Sequence, residues 1–161
     1  MASGISTKGR YALRVMADLA LAQGDGWVSL GDVSKRQGIS RKYLEQVMAS
    51  LHKAGFVTSM RGKGGGYRLK RDAADYTLGQ IIRAAEGSSL APVACLDCSS
   101  GLICPRADAC PTLPVWQELG QLISSYLDSK TLADITRGMA RPEDTEKMLA
   151  GLESLGEGLC K

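Results

Sequence analysis

The chain is short of histidine and of aromatic rings. Of 161 residues one is His and one is Phe, and Phe, Trp and Tyr together make up 5%. The single histidine, His52, falls inside a helical segment and reads as a helix-surface residue. No apolar run approaches the roughly 18 residues that a membrane span needs, so a spanning helix is excluded. The opening Met-Ala-Ser-Gly-Ile-Ser-Thr-Lys lacks the apolar core of a secretory signal, which predicts a cytoplasmic protein without membrane attachment. No internal repeat is found. Hydrophobic residues make up 44%, which excludes a disordered chain and allows a real core at this length.

Net charge is small overall and unevenly placed. The net charge is +3, but residues 1–72 carry +8 and residues 73–161 carry −5. A basic half joined to an acidic half points to a nucleic-acid surface at one end and a different role at the other.

Apolar periodicity then orders the basic half. Tyr11, Val15 and Leu19 recur every four residues within 7–22, with Met16 and Ala20 beside them, and predict a helix that Gly24-Asp25-Gly26 ends. Ser29 is an N-cap with Asp32 as a weak capping-box partner, and a short helix follows to about Gln37. Gly38-Ile39 makes a tight turn. Ser40 caps a third helix from Arg41 to about Ala54, closed by Gly55. Residues 56–70 alternate with period two around Gly62-Lys63-Gly64-Gly65-Gly66, predicting two strands and a glycine-rich tip. Helix, helix, turn, helix and hairpin is the order of a winged helix-turn-helix. The fold class is therefore mainly α with a small β-wing, followed by a long helix for dimerisation.

Thr77 and Gln80 form a capping box that opens a helix ended by Gly87. Residues 88–112 hold four of the five cysteines and three prolines, and a 25-residue loop in a compact domain requires something to organise it. Residues 114–128 predict an amphipathic helix with Trp116, Leu119, Leu122, Ile123, Tyr126 and Leu127 on one stripe. Its apolar surface exceeds what one small winged domain needs, so it is expected to be the seam of a homodimer. Residues 137–142 resemble a linker. A last helix through Met148, Leu149, Leu152 and Leu155 is weakened by Gly151 and Gly156. The expected organisation is 1–87 for DNA binding, 88–112 for the cysteine loop, 113–136 for dimerisation and 137–161 as a tail.

In a helix-turn-helix the start of the second helix enters the major groove. Leu44, Val47, Met48 and Leu51 take the buried stripe of the third helix, leaving Arg41, Lys42, Glu45 and Gln46 outward. Arg and Lys suit guanine edges or phosphates, Gln suits adenine, and Glu suits cytosine amino groups. A carboxylate here is repelled by phosphates unless it reads a base or orients a neighbouring Arg; otherwise it points into solvent. The glycine run lacks the Lys-Ser/Thr pair of a nucleotide loop. As a hairpin tip it is apt, because glycine permits positive φ and close backbone approach, while Arg61, Lys63 and Arg68 supply charge. Arg61 is the candidate for a minor groove.

Cys98, Cys104 and Cys110 are spaced six apart, and Cys95 lies three residues ahead. Thiolates gathered on one loop suit an iron–sulfur cluster or zinc. Zinc is the lesser reading, because zinc sites favour two close Cys pairs and only Cys95 and Cys98 form one. Unligated or redox-active thiols are the remaining reading. Cys160 reads as a free surface thiol.

Thr7-Lys8-Gly9-Arg10-Tyr11-Ala12, Gly38-Ile39-Ser40, Tyr43-Leu44-Glu45-Gln46, Arg61-Gly62, Gly64-Gly65-Gly66-Tyr67, the loop Cys-x5-Cys-x5-Cys and Thr131-Leu132-Ala133-Asp134 occur in the order and spacing of a known family. Over about residues 5–135 the chain resembles the Rrf-two family of bacterial transcription regulators, the IscR- and NsrR-like proteins. The resemblance implies a homodimeric winged-helix protein with an iron–sulfur cluster on Cys98, Cys104 and Cys110. It also implies base reading near Ser40, Tyr43 and Glu45, and minor-groove contact by Arg61. IscR-like members carry a histidine three residues after the last cysteine; here that position is Leu113, and Cys95 is additional. Cys95 is then a possible fourth ligand, with Asp97, Asp108, a partner-chain residue or a small molecule as the alternatives. The cluster type, 2Fe-2S or 4Fe-4S, stays open.

The expectation is therefore a dimeric regulator, a repressor rather than an enzyme, that binds an inverted-repeat operator in double-stranded DNA under control of a cluster. Two rivals stand: a metal-free regulator of the same fold sensing thiols or a protein partner, and an electron carrier built on the cysteine loop. The second gives no reason for a +8 N-terminal half.

Overall fold

The computed structural model describes residues 5–22, 26–87, 90–96 and 104–139. The expected tail helix, Cys98, Asp97 and Cys160 lie outside them. Helix α1 spans Thr7–Leu21. It is opened by Ser6, whose hydroxyl accepts from the backbone N–H of Lys8 at 3.0 Å, and it buries Ala12, Val15, Met16 and Leu19. Helix α2 spans Leu30–Gln37. Its Ser29 cap accepts from Asp32 N–H at 3.1 Å, while the Ser29 hydroxyl donates to the Asp32 carboxylate at 2.6 Å. Gly38 turns the chain with φ 62, in the left-handed region where glycine carries no Cβ penalty. Ser40 then opens α3, Arg41–Lys53, whose Leu44, Val47, Met48 and Leu51 are buried as the periodicity requires. Each such side chain contributes about 1.5–3 kcal/mol of burial.

Among the described residues one charged group is buried in this core. Asp18 of α1 is 2% exposed. It accepts from Arg36 Nε at 3.0 Å and the second Arg36 nitrogen at 2.6 Å, and from Gln37 Nε2 at 2.9 Å. The bidentate pair fixes the end of α2 just before the turn that aims α3.

Strands β1, Val57–Met60, and β2, Gly66–Leu69, pair antiparallel with Val57 opposite Leu69 and Thr58 opposite Arg68. A third extended segment, unforeseen from the sequence, joins them: Val28 N–H donates to Tyr67 O at 3.0 Å and Tyr67 N–H to Val28 O at 2.8 Å. Gly66 makes this possible, since a Cβ there would strike the Val28 carbonyl. Gly62 and Gly64 hold φ 103 and 80 at the tip, as the glycine-rich pattern predicts. Tyr76, fully buried, ties the far end of the hairpin. Its hydroxyl accepts from Arg71 N–H and donates to Phe56 O, both at 2.8 Å.

Helix α4, Leu78–Glu86, begins with the expected Thr77–Gln80 capping box and ends at Gly87, φ 71. After short 3₁₀ turns at Ala94–Leu96 and Ala107–Ala109, helix α5 runs Leu113–Asp128. Helix α6, Leu132–Thr136, opens on a second capping box, Thr131 with Asp134. The chain returns to the winged unit here: Leu78 N–H donates to Lys130 O and Leu132 N–H to Tyr76 O, both at 2.9 Å. Leu132 is fully buried in the same core as α1 and α3. Arg83 of α4 pairs with Asp128 at the end of α5, and Thr77 donates to the same carboxylate at 3.3 Å. Among the described residues no helix is long and apolar enough to cross a membrane.

Candidate DNA interface and cysteine loop

The first turns of α3 project a polar group of side chains away from the core. Ser40, Arg41, Lys42, Glu45 and Gln46 are exposed. Ser40 is spent partly on capping, accepting from Tyr43 N–H at 3.4 Å. Arg41 Nε lies 3.6 Å from Glu45 Oε1, one turn along. The carboxylate thus stands beside a cation, as one of the two arrangements in which a Glu is tolerated near phosphate requires. Tyr43 is half-buried, its ring edge-on to Tyr11 of α1 with centroids 5.4 Å apart. Arg14 lies over the Tyr11 ring, 5.5 Å from its centroid, and donates to Gln37 Oε1 at 3.1 Å. The start of α3 is therefore braced by α1 and the end of α2. His52 is exposed on α3, as its place in the helix suggested.

On the hairpin, Arg61 and Lys63 are exposed at the tip. Arg68 is exposed too, and its guanidinium lies 4.6 Å from the centroid of the Trp27 ring. Sequence reasoning missed Trp27. Its signal was slight, a lone aromatic after a glycine and before a helix cap.

The described cysteines precede α5. Cys95 is exposed in the first 3₁₀ turn; Cys104 and Cys110 are half-buried and unbridged. The Cys110 sulfur lies 3.4 Å from Thr112 Oγ1. Hydrogen bonds from the Thr112 side chain and then its backbone hold the Cys110 thiol below its ordinary value, which favours the thiolate. Cys98 lies outside the described residues. Among the described residues no three metal-binding side chains converge.

The stripe expected on α5 divides into two faces. Trp116, Ile123 and Leu127 are half-buried and turn toward the chain's own residues, where Gly120 lets Pro92 approach the helix backbone. Val115, Leu119, Leu122 and Tyr126 form a second row, and all four are exposed, Leu122 at 62%. The division follows from 3.6 residues per turn, since positions 115, 119, 122 and 126 lie about 100° from 116, 120, 123 and 127.

Residues 5–138 match the family model described as Rrf2, iron-dependent transcriptional regulator. The chain belongs to the Rrf2 family. It is 44% identical over 133 residues to the HTH-type transcriptional regulator IscR of Photobacterium profundum, covering 83% of this chain and 75% of that one. It is also 44% identical over 131 residues to the IscR of Yersinia enterocolitica, covering 81% and 77%. Among solved structures, IscR of T. potens superposes with a TM-score of 0.67 at 40% identity, covering 88% of this chain and 95% of that one. CymR, the global cysteine regulator of B. subtilis, gives 0.68 at 36%, covering 86% and 99%. The mainly helical fold with a two-stranded wing is thus that of Rrf2 regulators. The protein is a DNA-binding transcription regulator and not an enzyme, which argues against the electron-carrier reading.

Proposed function

We propose that this Rrf2 protein is a homodimeric repressor that reads an inverted repeat and whose affinity is set by an iron–sulfur cluster on the cysteine loop. The observation that carries this reading is the division of labour along the chain. Cations and a Glu–Arg pair stand at the start of α3 and at the wing, and an uncovered apolar row stands on α5. In this reading Ser40, Arg41, Lys42, Tyr43, Glu45 and Gln46 serve the major groove, Arg61 a minor groove, and Lys63 and Arg68 the phosphates. Val115, Leu119, Leu122 and Tyr126 meet the same row of a second copy, an isologous seam. Residues 1–87, 88–112, 113–136 and 137–161 are then DNA head, cluster loop, dimer helix and tail, with Leu132 anchoring the dimer helix to its own head.

The donor set fits a soft metal group. Cys104 and Cys110 are unbridged, partly shielded and on one loop, and the Thr112 hydrogen bonds favour the Cys110 thiolate. With Cys98 they would supply three sulfurs, and Cys95, exposed in its own 3₁₀ turn, or a carboxylate such as Asp108 would supply a fourth position. A cluster there, of 2Fe-2S or 4Fe-4S type, would supply a redox-sensitive inorganic centre. The chain's own part is to hold it with a loop that runs directly into α5. Ordering or releasing that loop acts on the helix that spaces the two heads.

The test is anaerobic reconstitution of wild type and of Cys95→Ala, Cys98→Ala, Cys104→Ala and Cys110→Ala, read by visible absorption and operator affinity. Loss of the chromophore at 98, 104 and 110 supports the triad, and the variant at 95 decides the fourth ligand. Stoichiometric zinc without iron and sulfide overturns the cluster and leaves DNA binding standing. The likeness to CymR favours a second reading, a metal-free regulator that senses thiols or a protein partner. A colourless protein that binds its operator supports it.

A further inference from the structure

The wing carries a three-residue row that the family motifs do not include. The paired hydrogen bonds between Val28 and Tyr67 set the third segment antiparallel to β2, so Trp27 stands opposite Arg68. On the other side Arg68 stands opposite Thr58 of β1. Arg68 is therefore the middle of a cross-strand row, on the face of the hairpin away from buried Val57 and Leu69. Its guanidinium lies 4.6 Å from the centroid of the Trp27 ring. Among the described residues the Arg68 side chain forms no salt bridge and no hydrogen bond, unlike those of Arg36 and Arg83, which hold carboxylates.

An arginine on a strand surface ordinarily samples many rotamers. Stacking on an indole removes most of that freedom and strips water from one face of the guanidinium, while the five N–H groups point outward in the plane. Such a fork matches the two oxygens of a phosphodiester. The neighbours have the same sign: Arg61 and Lys63 lie at the tip of the same hairpin, and no carboxylate pairs with Arg68 among the described residues.

We infer that Trp27 is a positioning residue of the DNA interface, an indole platform that holds Arg68 ready for a backbone phosphate beside the wing. The inference rests on the reading that the wing meets DNA. Trp27 itself makes no base contact, so it adds affinity without sequence preference. Trp27 is half-buried, two residues before the Ser29 cap that opens α2.

The experiment uses a duplex that the full-length wild-type protein binds, with affinity followed by fluorescence anisotropy across a salt series. The variants are Arg68→Ala, Trp27→Ala, Trp27→Phe, the double variant Arg68→Ala/Trp27→Ala, and Lys63→Ala as a separate probe of the wing. Arg68→Ala is expected to weaken binding and reduce the log–log salt slope by about one. Trp27→Ala is expected to weaken binding about three- to tenfold, equally on all sequences, and Trp27→Phe to recover most of the loss. In the Arg68→Ala background, Trp27→Ala is expected to cost nothing further. An equal loss in both backgrounds overturns the inference, because a platform without its cation has nothing to hold. So does unchanged affinity in Trp27→Ala, or a loss that Trp27→Phe fails to recover while the melting temperature falls. A flattened slope in Lys63→Ala with no effect at Arg68 or Trp27 overturns the inference alone. Unchanged slopes in all of them overturn the reading of the wing as a DNA contact, and the inference with it.

Discussion

Helices α3 and α5 have similar lengths and similar apolar content, yet the chain treats them differently. Of the thirteen residues of α3, Leu44, Val47, Met48 and Leu51 are buried. Of the sixteen residues of α5 none is buried, and Val115, Leu119, Leu122 and Tyr126 lie open. The apolar stripe of α3 is used up by α1, α2, α4 and the hairpin, which leaves its polar side free for another molecule. α5 meets its own chain with one row and presents a second row that no residue of this chain covers among those described. A monomer rarely leaves such a row in water. The contrast separates two kinds of surface, a polar and cationic one on the head and an apolar one on the arm.

Equal truncations on the two helices break or sharpen that contrast most strongly. Leu51→Ala is expected to destabilise the head by about 2–5 kcal/mol, measured by denaturant unfolding, because it opens a cavity in a packed core. Leu122→Ala, 62% exposed in the single chain, is expected to leave unfolding of the dilute monomer nearly unchanged and to raise the dimer dissociation constant. Leu119→Asp is the severe form: a charge forced into a desolvated seam dissociates the dimer, and operator affinity falls with it. Equal losses of monomer stability at positions 51 and 122 would make α5 a core helix. A Leu119→Asp protein that stays dimeric in sedimentation would move the seam elsewhere.

The second effect belongs to the head alone. Asp18→Ala leaves Arg36 and Gln37 without their shared carboxylate. Removing one partner of a buried ion pair costs about 3 kcal/mol here, the low end for such pairs because the Arg36 side chain is 22% exposed. Because the same contact fixes the end of α2, DNA affinity is expected to fall even at temperatures where the variant stays folded. Dimerisation is expected to persist. A variant that loses the dimer as readily as it loses DNA affinity would deny the separation of head and arm.

A smaller effect sits where arm and head join. The Asp134 carboxylate accepts from Thr131 N–H and from Thr131 Oγ1, each at 2.9 Å. The Thr131 backbone and then side-chain hydrogen bonds hold its carboxyl below the ordinary value. A depressed carboxyl stabilises fully above its unfolded pKa, about 4, and that contribution is lost as pH falls through the folded value. Acid unfolding of Asp134→Asn is accordingly expected to depend less on pH below that point than wild type does. An identical acid profile would place the acid sensitivity on other carboxylates.

The elements of the head were legible because their signals are local. Ser29, Ser40 and Thr77 precede their helices, Gly38 and Gly87 follow theirs, and each apolar stripe repeats within its own segment. What the sequence concealed is long-range. A single bridged pair such as Val28 with Tyr67 leaves no period, so the third segment of the wing and the place of Trp27 beside Arg68 were invisible. Leu132 enters a core built mostly by residues before 88, across a loop whose length breaks any local pattern. Tyr76 carries no motif; its burial follows from hydrogen bonds to Arg71 and Phe56 that form only when the hairpin closes. On α5 the six-residue stripe was recognised, but periodicity alone does not distinguish a row facing the chain from a row facing outward.

The smallest effect on stability is the finest probe of the polar interface. Glu45 and Arg41 are both well exposed, and an exposed i,i+4 pair is worth only about 0.3–0.5 kcal/mol to a helix. Glu45→Ala is therefore expected to leave the melting temperature almost unmoved. Its effect on DNA is of another kind. In the proposed reading the carboxylate at the start of α3 repels phosphate, accepts from a cytosine amino group where one is presented, and pairs with Arg41 at 3.6 Å. Removing it deletes a penalty, a contact and a constraint together. Affinity should fall on sites that offer the cytosine and rise on sites that do not, so the range of accepted sequences broadens. Selection from a randomised operator library, read by sequencing, measures this directly. A uniform change across the library would mean that Glu45 faces solvent and that its pairing with Arg41 serves the helix alone.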